Sequence, residues 1–335
     1  MHKMVSLETV RESNLALKDY GPDLVAVFVG GTSGIGESTA RAFVQHTLSP
    51  RVYLVGRNEA QASKIIDELR QVNSSGEVSF IKCDATRLRA VDEACKAIQE
   101  KEEKVNLLVL SSGILTNKGP DETDEGLDKK FSLHYYSRMR FLANLLPQLT
   151  KAGTEKPKES NSSIRPSLSS VVSVLEAGGE AHLIEDDLSL KTNYSLRNCK
   201  NHAITMTSLS MQKLAELHPH TSFVHTYPGL VRTNLLRECG MITKTALSGL
   251  MFLLKPWEVP VVETGERHLY AATSLQYPSS CDGSGAAKWS GAYLLNWDGS
   301  ARGNMSVLNE LNKKGAGDLV WKHTLGVFED ICGSK

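Results

Sequence analysis

The 335-residue chain predicts a doubly wound α/β fold, an open parallel sheet with helices on both faces, on three observations. Residues 24–44 pass without a break from an apolar strand through a glycine-rich turn into a helix. Short apolar runs then alternate with stretches of helical spacing along most of the chain. Hydrophobic residues make up 41% of the composition, ample for one large core.

Taken in order, Leu24-Val25-Ala26-Val27-Phe28-Val29 is apolar at every position, which reads as a strand buried on both faces. The turn Gly30-Gly31-Thr32-Ser33-Gly34-Ile35-Gly36 follows, and residues 38–44 continue as a helix without a breaker. Missing side chains at Gly30, Gly34 and Gly36 allow a tight turn, close backbone approach to a pyrophosphate, and close packing of helix on strand. The helix start adds free N–H groups and a partial positive charge, so the segment is a cradle for a dinucleotide. Residues 51–55 make a second strand, and 59–72 a helix through Ala62, Ile65, Ile66 and Leu69, stopped by Asn73-Ser74-Ser75-Gly76. Strands at 78–81 and 105–110 flank a helix at 90–101, and a long helix is expected from about 123 to 149. The polar stretch 151–167 reads as a flexible loop. After it come a strand at 168–174, a helix at 196–217, a strand at 222–226 and a last glycine-bounded strand at 292–296. The whole, 1–335, is read as a single domain with helical additions near the C-terminus, in which 234–290 would cover a substrate.

Lys plus Arg and Asp plus Glu are equal at 38 each, so no overall field favours nucleic acid or an anionic membrane. The apolar stretch 246–254 is too short to span a bilayer and ends in Lys255-Pro256, and the N-terminus lacks the apolar core of a signal peptide. The six cysteines have neither metal nor disulfide-framework spacing, which points to a reducing, cytoplasmic setting. No metal site is expected, since His218-Pro219-His220 reads as a helix-ending turn. The partners expected are a small-molecule substrate and, as an open alternative, further copies of the chain.

With these elements placed, residues 22–275 resemble the short-chain dehydrogenase/reductase family, whose sheet is of the Rossmann type. The glycine loop keeps the family's glycines but not its opening threonine. Asp84 matches the acid that the family sets at the adenine, and Leu110-Ser111-Ser112-Gly113 stands where an Asn-Asn-Ala-Gly motif is usual. Tyr227-Pro228-Gly229-Leu230-Val231-Arg232-Thr233 matches the Pro-Gly-x-Val-x-Thr segment near the nicotinamide, and Thr264-Gly265-Glu266-Arg267-His268 is similar to filamentous fungal members. The resemblance implies a bound nicotinamide dinucleotide. Gly56-Arg57-Asn58 occupies the end of the second strand, where a carboxylate would select NAD, and the planar fork of arginine suits a 2′-phosphate. NADP(H) is therefore expected, held by Arg57 with help from Asn58.

The catalytic pattern departs from the family. There a tyrosine handles the substrate proton, a lysine four residues on assists it, a serine orients the carbonyl and an asparagine supports a water relay. Lys200 matches the lysine, but Leu196 stands at the tyrosine, Glu176 (or Leu175, with a one-residue slip) at the serine and His134 at the asparagine. Tyr194 is six residues from Lys200, roughly 120° away around a shared helix, and reaches the pocket only if the helix begins after it. Three readings stay open. The chain is an NADP(H)-dependent oxidoreductase of a small, largely apolar metabolite of specialised metabolism, with Glu176, His134, Tyr194 or solvent supplying the proton. An iminium or an activated alkene would need that acid least. Otherwise it is a non-redox isomerase, dehydratase or cyclase using Glu176, or a catalytically inactive regulatory protein that senses NADP(H).

Overall fold

The computed structural model describes residues 4–155, 167–233, 254–281 and 291–333. Seven strands form one sheet: β1 (Val25–Val29), β2 (Arg51–Gly56), β3 (Glu77–Lys82), β4 (Leu107–Leu110), β5 (Ser170–Val174), β6 (Ser222–Thr226) and β7 (Ala292–Leu295). Their order is β3-β2-β1-β4-β5-β6-β7, and every neighbouring pair is parallel. All strands expected from the sequence are present. The order reverses direction between β1 and β4, which opens a crevice beyond their C-terminal ends.

Successive side chains of a strand face opposite ways, and β1 divides accordingly. Ala26 and Phe28 join one apolar layer, Val25, Val27 and Val29 the other. The first layer lies under α2 (Gly34–His46), α3 (Glu59–Val72) and α7 (Val261–Thr273), with Phe28 edge-on to Phe43 at 5.9 Å. A short α1 (Leu7–Leu15), not anticipated from its mixed sequence, docks on the α7 side, where Asn14 Nδ2 donates to Glu266 Oε2 at 2.6 Å. The second layer lies under α4 (Leu88–Gln99), α5 (Ser137–Thr154) and α6 (Leu196–Leu217). The C-terminal helices α8 (Met305–Lys313) and α9 (Ala316–Cys332) close that side through Leu308, Leu311, Val320 and Phe328, and Tyr135 Oη meets Thr324 Oγ1 at 2.6 Å.

Two expectations need correction. The long helix does not begin near 123: Gly126 has φ +74°, and Asp128 accepts from the backbone N–H groups of Lys130 and Phe131, starting a short turn (Lys129–Phe131). A π-helical turn (Ser132–Tyr136) joins it to α5, which runs on to Thr154, into the expected loop; residues 156–166 of that loop lie outside the described residues. In the 234–290 region, residues 234–253 and 282–290 lie outside them too, including Leu235, Leu236, Met241, Leu250, Met251 and Phe252. The described helix of that region, α7, does not cover the crevice. It packs on α2, where Ser38 Oγ donates to the Val261 carbonyl at 2.7 Å and a Cβ on Gly265 would lie 2.3 Å from Ser38 Oγ.

Candidate active site

The crevice is a cleft of about 1700 Å³ at the carboxyl ends of the strands. It exceeds a drug-sized pocket, leaving room for a dinucleotide beside a second small molecule. The glycine turn forms one wall: Gly30, Thr32, Ser33, Gly34 and Ile35 line it. Gly30 has φ +85°, and a Cβ there would lie 2.8 Å from the Ser112 amide nitrogen. Gly36 does not line the cleft; a Cβ on it would lie 2.3 Å from Ser111 Oγ, so its role is to seat α2 against β4. Ser33, the N-cap of α2, makes no side-chain bond to the first turn, which leaves those N–H groups for an anion in the cleft.

At one end Arg57, Asn58, Glu59, Lys82 and Asp84 line the cleft, and the position directly after β2 is held by Arg57 rather than a carboxylate. Asn58 is committed locally: its Oδ1 caps α3 by accepting from Gln61 N–H at 3.0 Å. Asp84 Oδ1 accepts from the Thr86 amide and hydroxyl at 3.2 and 2.9 Å. Ser112, Gly113, Pro228, Val231 and Thr233 line the middle, and Ser112 Oγ is buried without a hydrogen-bond partner among the described residues. An uncapped helix start, a glycine wall and an unpartnered hydroxyl fit a nicotinamide dinucleotide.

At the other end Leu196 and Lys200, one turn apart on α6, share the cleft face, and Leu196 is 41% exposed. Ser195 Oγ caps this helix by accepting from Asn198 N–H at 3.0 Å. Lys200 Nζ donates to Glu176 Oε1 at 2.8 Å, so the family's lysine pairs with the residue at the serine position. Glu176 is fixed from behind. Ser208 has one hydroxyl hydrogen and gives it to Glu180 Oε1 at 2.8 Å, so His225 donates from Nδ1 to Ser208 at 2.9 Å. Its Nε2 then accepts the Glu176 N–H at 3.3 Å. Burial, with the Arg138 charge, pushes His225 down to about 3, in keeping with that neutral tautomer.

Two of the proton-donor candidates fail. Tyr194 precedes α6 and is not among the residues that line the cleft; its ring sits 5.5 Å from Lys130 Nζ. Burial first, then Cys199 and Asp128, raise its pKa far above the ordinary value. His134 lines the cleft, but its Nε2 accepts from Ile114 N–H at 3.2 Å, and burial and Arg138 push it down to about 3. It is neutral at physiological pH and supplies no acidic proton. Sequence reasoning missed Arg138, which also reaches the cleft. The signal was there: a charged residue inside the apolar Met139-Phe141-Leu142-Leu145 face of a helix.

A fold and site of this kind define a nucleotide-binding α/β enzyme class, and the comparisons with known proteins agree. The family model for short chain dehydrogenase matches residues 24–156. The chain is 40% identical to oxidoreductase AN1596 of Emericella nidulans, with 97% of this chain and 98% of that protein covered. It is 26% identical to short-chain dehydrogenase/reductase SAT2 of Stachybotrys chartarum, with 98% of each covered. A short-chain type dehydrogenase/reductase from Mycobacterium marinum has the same fold, with a TM-score of 0.56 at 18% identity over 78% of this chain and 92% of that one. The chain belongs to the short-chain dehydrogenase/reductase family. No helix among the described residues is long and apolar enough to cross a membrane, and no group of three or more His, Cys, Asp or Glu among them is placed to hold a metal.

Proposed function

We propose that the protein is an NADP(H)-dependent oxidoreductase of a small organic metabolite, in which the Glu176–Lys200 pair stands in for the family's tyrosine and lysine. The observation that carries the reading is that pair, 2.8 Å apart on the cleft that the glycine turn and Arg57 also line. When bound, the nicotinamide supplies two-electron redox chemistry. The uncapped start of α2 would hold the pyrophosphate, Arg57 the 2′-phosphate, and Asp84 the adenine. Lys200 and Glu176 would orient the reacting group, with Glu176 accepting or returning the proton.

Leu196, exposed where the tyrosine is usual, favours a second reading, a non-redox acid–base catalyst built on Glu176. Counting cofactor consumed per product separates the two: one-to-one consumption supports the oxidoreductase, and turnover without consumption overturns it. Binding without any turnover supports the regulatory protein. For the cofactor, Arg57→Asp should weaken NADPH at least tenfold more than NADH in titration calorimetry; equal losses would sink the 2′-phosphate assignment.

A further inference from the structure

Arg138 stands on the first turn of α5, is 1% exposed, and still reaches the cleft floor. Its Nη1 donates to Ser173 Oγ and to the Val174 carbonyl, both at 2.8 Å, and its Nη2 to the Ser112 carbonyl at 2.6 Å. Nε donates to the Leu133 carbonyl at 3.3 Å. A guanidinium has five N–H groups, so one remains without an acceptor among the described residues. Every acceptor is neutral, and burial is the only influence on the guanidinium charge, with no carboxylate among the described residues offsetting it. Burial brings the pKa down to about 9, which leaves the group charged at neutral pH.

The surroundings do not cancel that charge. His134 from the π turn and His225 from β6 are neutral, Asp128 is closed on Lys130 at 3.0 Å, and Glu176 on Lys200 at 2.8 Å. A neutral donor would satisfy the same acceptors; what arginine adds is a positive charge in a poorly screened floor. We propose that the floor formed by Ser112, Val174 and Arg138 is an oxyanion site, taking an organic ligand through a phenolic or enolic oxygen bound as the anion. This rests on the reading of the cleft as the substrate site and narrows its substrate class. The same charge opposes a cationic ligand such as an iminium ion.

The test uses 4-nitrophenol, whose phenolate is distinguished by its visible absorbance, with the full chain free of nucleotide. The bound probe should titrate at lower pH than the free probe, and 4-nitroanisole, of the same shape without an ionisable hydroxyl, should bind at least tenfold more weakly than the phenolate. Arg138→Met should abolish the displacement and Arg138→Lys restore most of it, whereas Lys200→Met should retain it. A structural strut alone would not produce this pattern. A bound probe titrating at or above the free value, equal binding of the anisole, or no phenolate binding at millimolar concentration overturns the proposal. NADPH affinity is read separately: Arg57→Asp should lose NADPH and keep the phenolate preference, so failure of the cofactor reading is distinguishable from failure of the oxyanion site.

Discussion

At Glu176 the side chain, its backbone amide and the residue two positions before it meet three different partners. The carboxylate takes Lys200, the N–H takes His225, and the neighbouring Val174 carbonyl takes Arg138. Glu176→Gln keeps the size and the hydrogen bond to Lys200 but cannot accept a proton. Its kcat should fall roughly 10²- to 10⁴-fold. An unchanged rate would take Glu176 out of the chemistry. Gly30→Ala tests the turn: positive φ and a methyl 2.8 Å from the Ser112 nitrogen should cost about 1–3 kcal/mol, seen as a lower Tm. At this scale the sequence was legible where a residue type has one physical use, as with the glycines and Lys200. It was illegible where the direction of a side chain decides, as with Tyr194, whose place two residues before Leu196 does not reveal that its ring turns toward Lys130.

Among the elements, α6 carries both Leu196 and Lys200 to the cleft in its first turns, so its start matters more than its length. Ser195→Ala removes the cap bond to Asn198 and should cost about 1 kcal/mol, with faster amide exchange at 196–199 and a loss of turnover exceeding the loss of stability. Unchanged exchange there would show that the cap does not hold the site. The strands were readable because continuous apolar runs such as Val25–Val29 have few other uses. The start of the helical run that becomes α5 was not. Its boundary depends on Gly126 and on a cap from Asp128, and the π turn that follows has no signature in apolar spacing.

Over the whole molecule, buried neutral histidines tie stability to pH. His134 and His225 are pushed to about 3 and His268 to about 4, all chiefly by burial, against an ordinary value of 6.5. Between these values and 6.5 the unfolded chain binds protons that the folded chain refuses, so stability is lost as pH falls below 6.5. The slope is roughly 1.4 kcal/mol per pH unit for each histidine. Urea midpoints should therefore drop steeply from pH 7 to pH 5; a flat profile would mean that the three rings are protonated in the folded state.

The order of the sheet also bears on how the chain is made. β6 is complete at residue 226, yet the strand that borders it, β7, begins only at residue 292. While the protein is being synthesised from its N-terminus, one side of a strand that is buried in the finished fold waits for its partner until nearly the whole chain has left the ribosome. Such an open border recruits other strands, so nascent or prematurely terminated chains of this protein should be its aggregation-prone species and the natural clients of chaperones.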